Sequence, residues 1–168
     1  MCYNQYMDKF EKYKLQKNQY AYKLEQEGKL FEKARAVIVQ DGKVLILFNP
    51  KTNAYTIPGG GADEGETIQQ AVVREALEES GYLVEPVKEI CSNFYEVPME
   101  LDGEKYISHR VEYYYLCRLK NLECENINGI EGEYECKIDK QWSDIDSLKN
   151  CGWKNEQIQI LKDELKNP

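Results

Sequence analysis

The segment from Pro58 to Tyr82, PGGGADEGETIQQAVVREALEESGY, sets three consecutive glycines against a stretch whose acidic residues gather on one side of a helix. At about 100° per residue, Glu75, Glu78 and Glu79 share an arc of roughly 100° beside the apolar stripe of Val72, Val73, Ala76 and Leu77. The carboxylates therefore line the edge of a buried face. Glu75 and Glu79 are like charges at i,i+4, and Glu78 and Glu79 sit in the last turn against the negative dipole end, so a positive partner is expected. Arg74 can reach Glu78 at i+4, but one guanidinium does not balance three carboxylates. A hard divalent cation, which prefers oxygen ligands, would complete the balance. A solvated acidic face is the plain alternative. The glycines weigh against it: Gly59, Gly60 and Gly61 permit positive φ and close approach of backbone to a ligand, and Pro58 fixes the entry from Tyr55-Thr56-Ile57. A tight turn of that kind can aim carbonyls at a metal, and the chemistry implied is metal-assisted reaction at phosphate.

The elements that must position these groups follow from local signals. Thr67 and Gln70 fit a capping box and Gly81 sits where a left-handed residue ends a helix, which predicts a helix from Thr67 to Ser80. Upstream, Ala34–Val39 and Lys43–Phe48 are β-rich runs joined by Asp41-Gly42, a hairpin signal. Downstream, Val84–Val97 and Ile107–Leu119 predict long strands around Asp102-Gly103, and Tyr134–Trp142 a further strand. Short helices are expected at Ile145–Lys149 and Asn155–Lys166. Strands interleaved with helices imply a mixed sheet covered on both faces, an α/β fold. Residues 1–33 are expected to be a helical extension to a domain over 34–168, since Tyr3, Tyr6, Met7, Phe10, Tyr13, Tyr20 and Leu24 recur at helical spacing. That extension would pack on the domain itself, make a homodimer contact, or act as a lid over the substrate.

With 168 residues and no internal repeat, the chain fits one core. Its formal net charge of −8 argues against general binding to nucleic acid or anionic membranes, which calls for a basic footprint. The six cysteines show no CxxC spacing, and neither a secretory signal nor a membrane-length apolar run occurs, so reduced thiols in the cytoplasm are expected. Zinc is a weak rival because His109 is the single histidine and lacks regularly spaced partners.

Gly60, Glu66, Arg74-Glu75-Ala76, Glu78-Glu79 and Gly81-Tyr82 resemble the signature of the Nudix hydrolase family, GX5EX7REUXEEXGU, in which U is bulky and aliphatic. Every charged and glycine position fits; Ala76 and Tyr82 depart at two U positions. The resemblance implies an α/β/α Nudix sandwich and a pyrophosphohydrolase dependent on Mg²⁺, with Mn²⁺ as a substitute. Its substrate would be a nucleoside diphosphate linked to another moiety, either a nucleoside triphosphate or an ADP-ribose-like compound. It also implies Glu78 and Glu79 as principal metal ligands, Glu75 as ligand or general base, Arg74 as the residue that orients Glu75, and the Gly59 carbonyl as a further ligand. Gly60 and Glu66 would support the loop.

Family members often recruit one more acid from a downstream loop, and Glu131, Glu133 and Glu135 are the candidates, Glu131 or Glu133 foremost, against a plain solvated loop. His109 is more readily a packed or surface residue than a phosphate-binding group or base. Phe94-Tyr95 and Tyr113-Tyr114-Tyr115 could stack on a flat ring, though core packing is the default. A non-catalytic nucleotide-sensing module is the alternative of a different class, and intact acids argue against it. An RNA-end decapping enzyme is disfavoured by the acidic balance.

Overall fold

The computed structural model describes residues 3–50, 52–120 and 139–166, with side chains from Lys14 onward. The chain opens with α1 (Tyr3–Gln26), continues through β1 (Phe31–Gln40), β2 (Lys43–Asn49), β3 (Ala54–Thr56), β4 (Gly59–Gly61), α2 (Ile68–Ser80), β5 (Val84–Leu101), β6 (Glu104–Leu119) and β7 (Asp139–Asp144), and ends in a 3₁₀ helix (Ile145–Cys151) and α3 (Asn155–Lys166). Strand order is β3-β2-β1-β6-β5, with β4 paired to β1 and β7 to β2. β1 and β6 run parallel from Phe31 opposite Arg110 to Ile38 opposite Cys117, and the other pairs are antiparallel, so the sheet is mixed.

Alternation along β1 divides the interior into two cores. Ala34, Ala36 and Ile38 pack with Ala71, Val72 and Ala76 of α2 on one face. Val37 packs on the other with Leu148 and Trp153, and with Ile158 and Leu161 of α3. This is the layered α/β arrangement expected from the sequence. Both hairpin signals hold, with Asp41 and Gly42 at φ 49° and 73° and Asp102 and Gly103 at 51° and 84°, the left-handed pair that matches strand twist. The strand expected to begin at Ala34 begins at Phe31, and β5 and β6 run on to the Asp102-Gly103 turn. Of the strand expected over Tyr134–Trp142, residues 139–142 lie in β7 and the rest fall outside the described residues.

The glycine run corrects the expectation of a tight turn at these positions. Gly59, Gly60 and Gly61 form β4, antiparallel to Arg35, Ala34 and Lys33 of β1. A β-carbon on Gly60 would collide with the Glu75 carboxylate, and one on Gly59 with the Ala34 carbonyl and the Arg35 stem. Only bare backbone fits between β1 and α2 here. The aromatics are divided, with core packing, the default expectation, holding for two of them: Tyr114 is buried edge-on against Trp153 at 5.0 Å and Tyr115 packs on the α2 side, whereas Phe94 is 71% exposed.

The N-terminal segment forms the expected helix and docks on its own sheet. Ala21 and Leu24 are buried against Phe31, Tyr22 meets Tyr106 edge-on at 5.1 Å, and the Lys17 Nζ donates to the Gly61 carbonyl at 2.9 Å and pairs with Asp63. Tyr3, Tyr6, Met7, Phe10 and Tyr13 lie outside the described side chains.

Candidate functional site

α2 starts as its sequence dictates. The Thr67 side chain accepts from the Gln70 amide, the Gln70 side chain accepts from the Thr67 amide, and Gly81 closes the helix at φ 76°. This fixes the rotation of the helix and so the direction of its acids. Glu75 is only 5% exposed and faces the backbone of Gly60. One turn on, the Glu79 Oε2 accepts from the Gly59 amide at 2.8 Å. A carboxylate buried this far needs compensating donors. Arg74 supplies one, its Nη1 donating to Glu75 at 2.7 Å and to Glu78 at 3.3 Å.

The same guanidinium holds the loop before the helix. Its Nε and Nη2 donate to the two oxygens of Glu66 at 2.9 and 2.8 Å, and Nη2 also donates to the Gly61 carbonyl at 3.0 Å. Glu66 in turn accepts from the Asp63 amide at 2.8 Å. The Arg74 hydrogen bonds and the Asp63 amide hold the Glu66 carboxyl below its ordinary range, outweighing burial, and Glu66 foremost raises Arg74 above its own.

Arg74, Glu75, Glu78, Glu79, Gly59, Gly60 and Glu66 are thus brought together at the α2–β4 junction. Glu131, Glu133 and Glu135 lie outside the described residues. His109 lies in β6, where its Nδ1 meets Glu25 of α1 at 2.9 Å and its Nε2 meets Glu96 of β5 at 3.4 Å; none of these partners belongs to the junction. No group of three or more His, Cys, Asp or Glu among the described residues is already arranged around a metal position. The donor chemistry nonetheless fits a hard divalent cation, since Glu75, Glu78, Glu79 and the Gly59 carbonyl offer oxygen only.

Sequence reasoning missed the charged face across β4. Arg35 donates from Nε to Glu112 at 2.6 Å and from Nη1 to the carbonyls of Gly59 at 3.0 Å and Ile57 at 3.3 Å. Lys33 lies 3.6 Å from the same Glu112 oxygen, and the Tyr114 hydroxyl donates to the other at 2.7 Å. Two cations at alternate positions of β1, Lys33 and Arg35 after Phe31, were the available signal.

A family model described as the NUDIX domain matches residues 30–163. Among curated proteins, the uncharacterized Nudix hydrolase YvcI of Bacillus subtilis is 28% identical over 115 residues, 68% of this chain and 66% of the relative. The nucleoside diphosphate-linked moiety X motif 6 protein of Xenopus laevis is 35% identical over 126 residues, 70% of this chain and 51% of the relative. The matches thus span between half and two thirds of these relatives. Among solved structures, one described as an ADP-ribose pyrophosphatase from Streptococcus suis superposes with a TM-score of 0.58 at 19% identity, covering 82% of this chain and 92% of that one, a likeness of fold.

Proposed function

From the premise that this chain belongs to the Nudix family, we propose that it is a Mg²⁺-dependent pyrophosphohydrolase that cleaves a nucleoside diphosphate linked to another moiety. The observation that carries this reading is the placement of Glu75 against Gly60 and of Glu79 on the Gly59 amide, which sets one buried and one half-buried carboxylate beside a side-chain-free backbone strip. Glu75, Glu78, Glu79 and the Gly59 carbonyl would hold the cation, with Mn²⁺ able to replace Mg²⁺. Bound there, the cation supplies charge neutralisation at the phosphates and a more acidic water.

The protein's own residues do the rest. Arg74 fixes the orientation of Glu75 and Glu78 from one nitrogen and, through Glu66 and Gly61, fixes the loop relative to the helix. Glu75 serves either as a ligand or as the general base that takes a proton from the attacking water. The substrates that suit this site are a nucleoside triphosphate or an ADP-ribose-like compound, and the naming of the Xenopus relative for nucleoside diphosphate-linked moieties supports that class.

Replacing Glu79 by Gln tests the assignment. Changes outside the direct coordination shell of a metal cost roughly 10- to 100-fold, so loss of a ligand should lower Mg²⁺-dependent hydrolysis by more than about 100-fold. Circular dichroism should remain that of the parent. Turnover unchanged at saturating Mg²⁺ would sink the assignment.

A further inference from the structure

The β1, β5 and β6 residues on the α3 side of the sheet form a face whose two ends are covered. At one end α1 covers it, with Tyr22 against Tyr106, Tyr20 against Phe31 and the Tyr106 hydroxyl on the Asn18 carbonyl. At the other, the Gln157 side-chain amide reaches Cys91 and Asn93, and Trp153 packs on Tyr114. Between these ends the strand register aligns Phe31, Lys33 and Arg35 of β1 with Arg110, Glu112 and Tyr114 of β6, and sets Tyr95 of β5 opposite Arg110. On the other side of β1, Lys33 and Arg35 lie opposite Gly61 and Gly59. Neighbouring strands are about 4.8 Å apart, so these two cations border the β4 backbone strip from the α3-side face, while Glu75 approaches Gly60 from the α2 side.

The charges on this face do not match one for one. Lys33 and Arg35 share a single Glu112 oxygen. Arg110, the third cation, donates to the Ser108 hydroxyl at 3.1 Å and the Met99 sulfur at 3.3 Å, and lies 5.1 Å over the Phe31 ring. These partners are neutral. Burial lowers the Lys33 pKa, and the neighbouring Arg35 and Arg110 push it the same way against the pull of Glu112. Such crowding of cations in a chain of net charge −8 is a cost that a bound polyanion would remove.

We propose that Lys33, Arg35 and Arg110 form an anion subsite that receives the diphosphate of the substrate beside Gly59–Gly61. Its identification with substrate rests on the pyrophosphohydrolase reading. Arg35 is held by Glu112 and by the carbonyls of Ile57 and Gly59, so it sets the edge of the subsite. Lys33 and Arg110 are the groups that close on phosphate oxygens, with Arg110 able to offer two parallel donors.

The test is binding of ADP to the full chain in EDTA, by calorimetry, alongside the Lys33→Met and Arg110→Gln variants. Each substitution should weaken ADP and inorganic pyrophosphate by about 10-fold, while Lys33→Arg and Arg110→Lys retain most of the affinity. Adenosine should show no such dependence. ADP affinity equal to the parent in both charge-removing variants would overturn the subsite, as would a parent that binds neither ADP nor pyrophosphate. A parent that hydrolyses nothing but loses ADP on these substitutions would refute the hydrolase reading and leave the subsite standing.

Discussion

Arg74 is the side chain on which loop and helix jointly depend, because one guanidinium serves Glu66, Glu75, Glu78 and the Gly61 carbonyl. Glu66→Gln keeps the shape and removes the charge that Arg74 grips through two nitrogens. Hydrogen bonds to charged groups contribute roughly 1.5–3 kcal/mol, so about 1–2 kcal/mol should be lost in urea unfolding. The sign with pH follows from the depressed Glu66 pKa: its contribution is fully present above the unfolded-state value and disappears as pH falls through the lower folded-state value. The parent and Gln variant should therefore differ at neutral pH and converge in acid; a constant difference would contradict the pairing. Glu66, Arg74 and the α2 acids were legible in the sequence because short-range spacing fixes their geometry. Lys33, Arg35 and Arg110 were not, because the Arg35–Glu112 contact joins residues 77 apart and exists only once β1 and β6 pair in parallel.

α1 shows the same division at the scale of an element. Its periodicity predicted a helix, but its docking place depends on Lys17 finding Gly61, Glu25 finding His109 and Tyr22 finding Tyr106. The helix meets the loop of the candidate active site, so it is more than a remote brace. Removing residues 1–26 would uncover Phe31 and discard the buried Ala21 and Leu24, at a cost of about 3 kcal/mol from apolar burial. The truncated chain should melt lower and, with the Lys17 bond to Gly61 gone, turn over more slowly per folded molecule. An unchanged melting temperature together with unchanged kinetics would contradict this docking. The glycine strand β4 was the element hidden from sequence reading. Three glycines signal a turn, and the pairing that makes them a strand is imposed by β1 on one side and α2 on the other.

For the whole molecule, alternating strands and helices were enough to anticipate a mixed sheet between two helical layers, each with its own core. No helix among the described residues is long and apolar enough to cross a membrane. Cys91, Cys117 and Cys151 are free, and burial pushes the Cys117 thiol up to about 12 and the Cys151 thiol up to about 11. Cys117 should resist a thiol reagent at neutral pH in the folded protein, whereas all six cysteines of the chain should react after unfolding without reductant. Two or more blocked thiols would contradict the expected reduced state. The most direct test of the central claim is chromatographic assay of the purified chain against nucleoside triphosphates and ADP-ribose, with Mg²⁺ and with EDTA. The account predicts release of the nucleoside monophosphate from at least one of them, present with Mg²⁺ and absent with EDTA. Equal release under both conditions, or no release from any of them at saturating Mg²⁺, would contradict it.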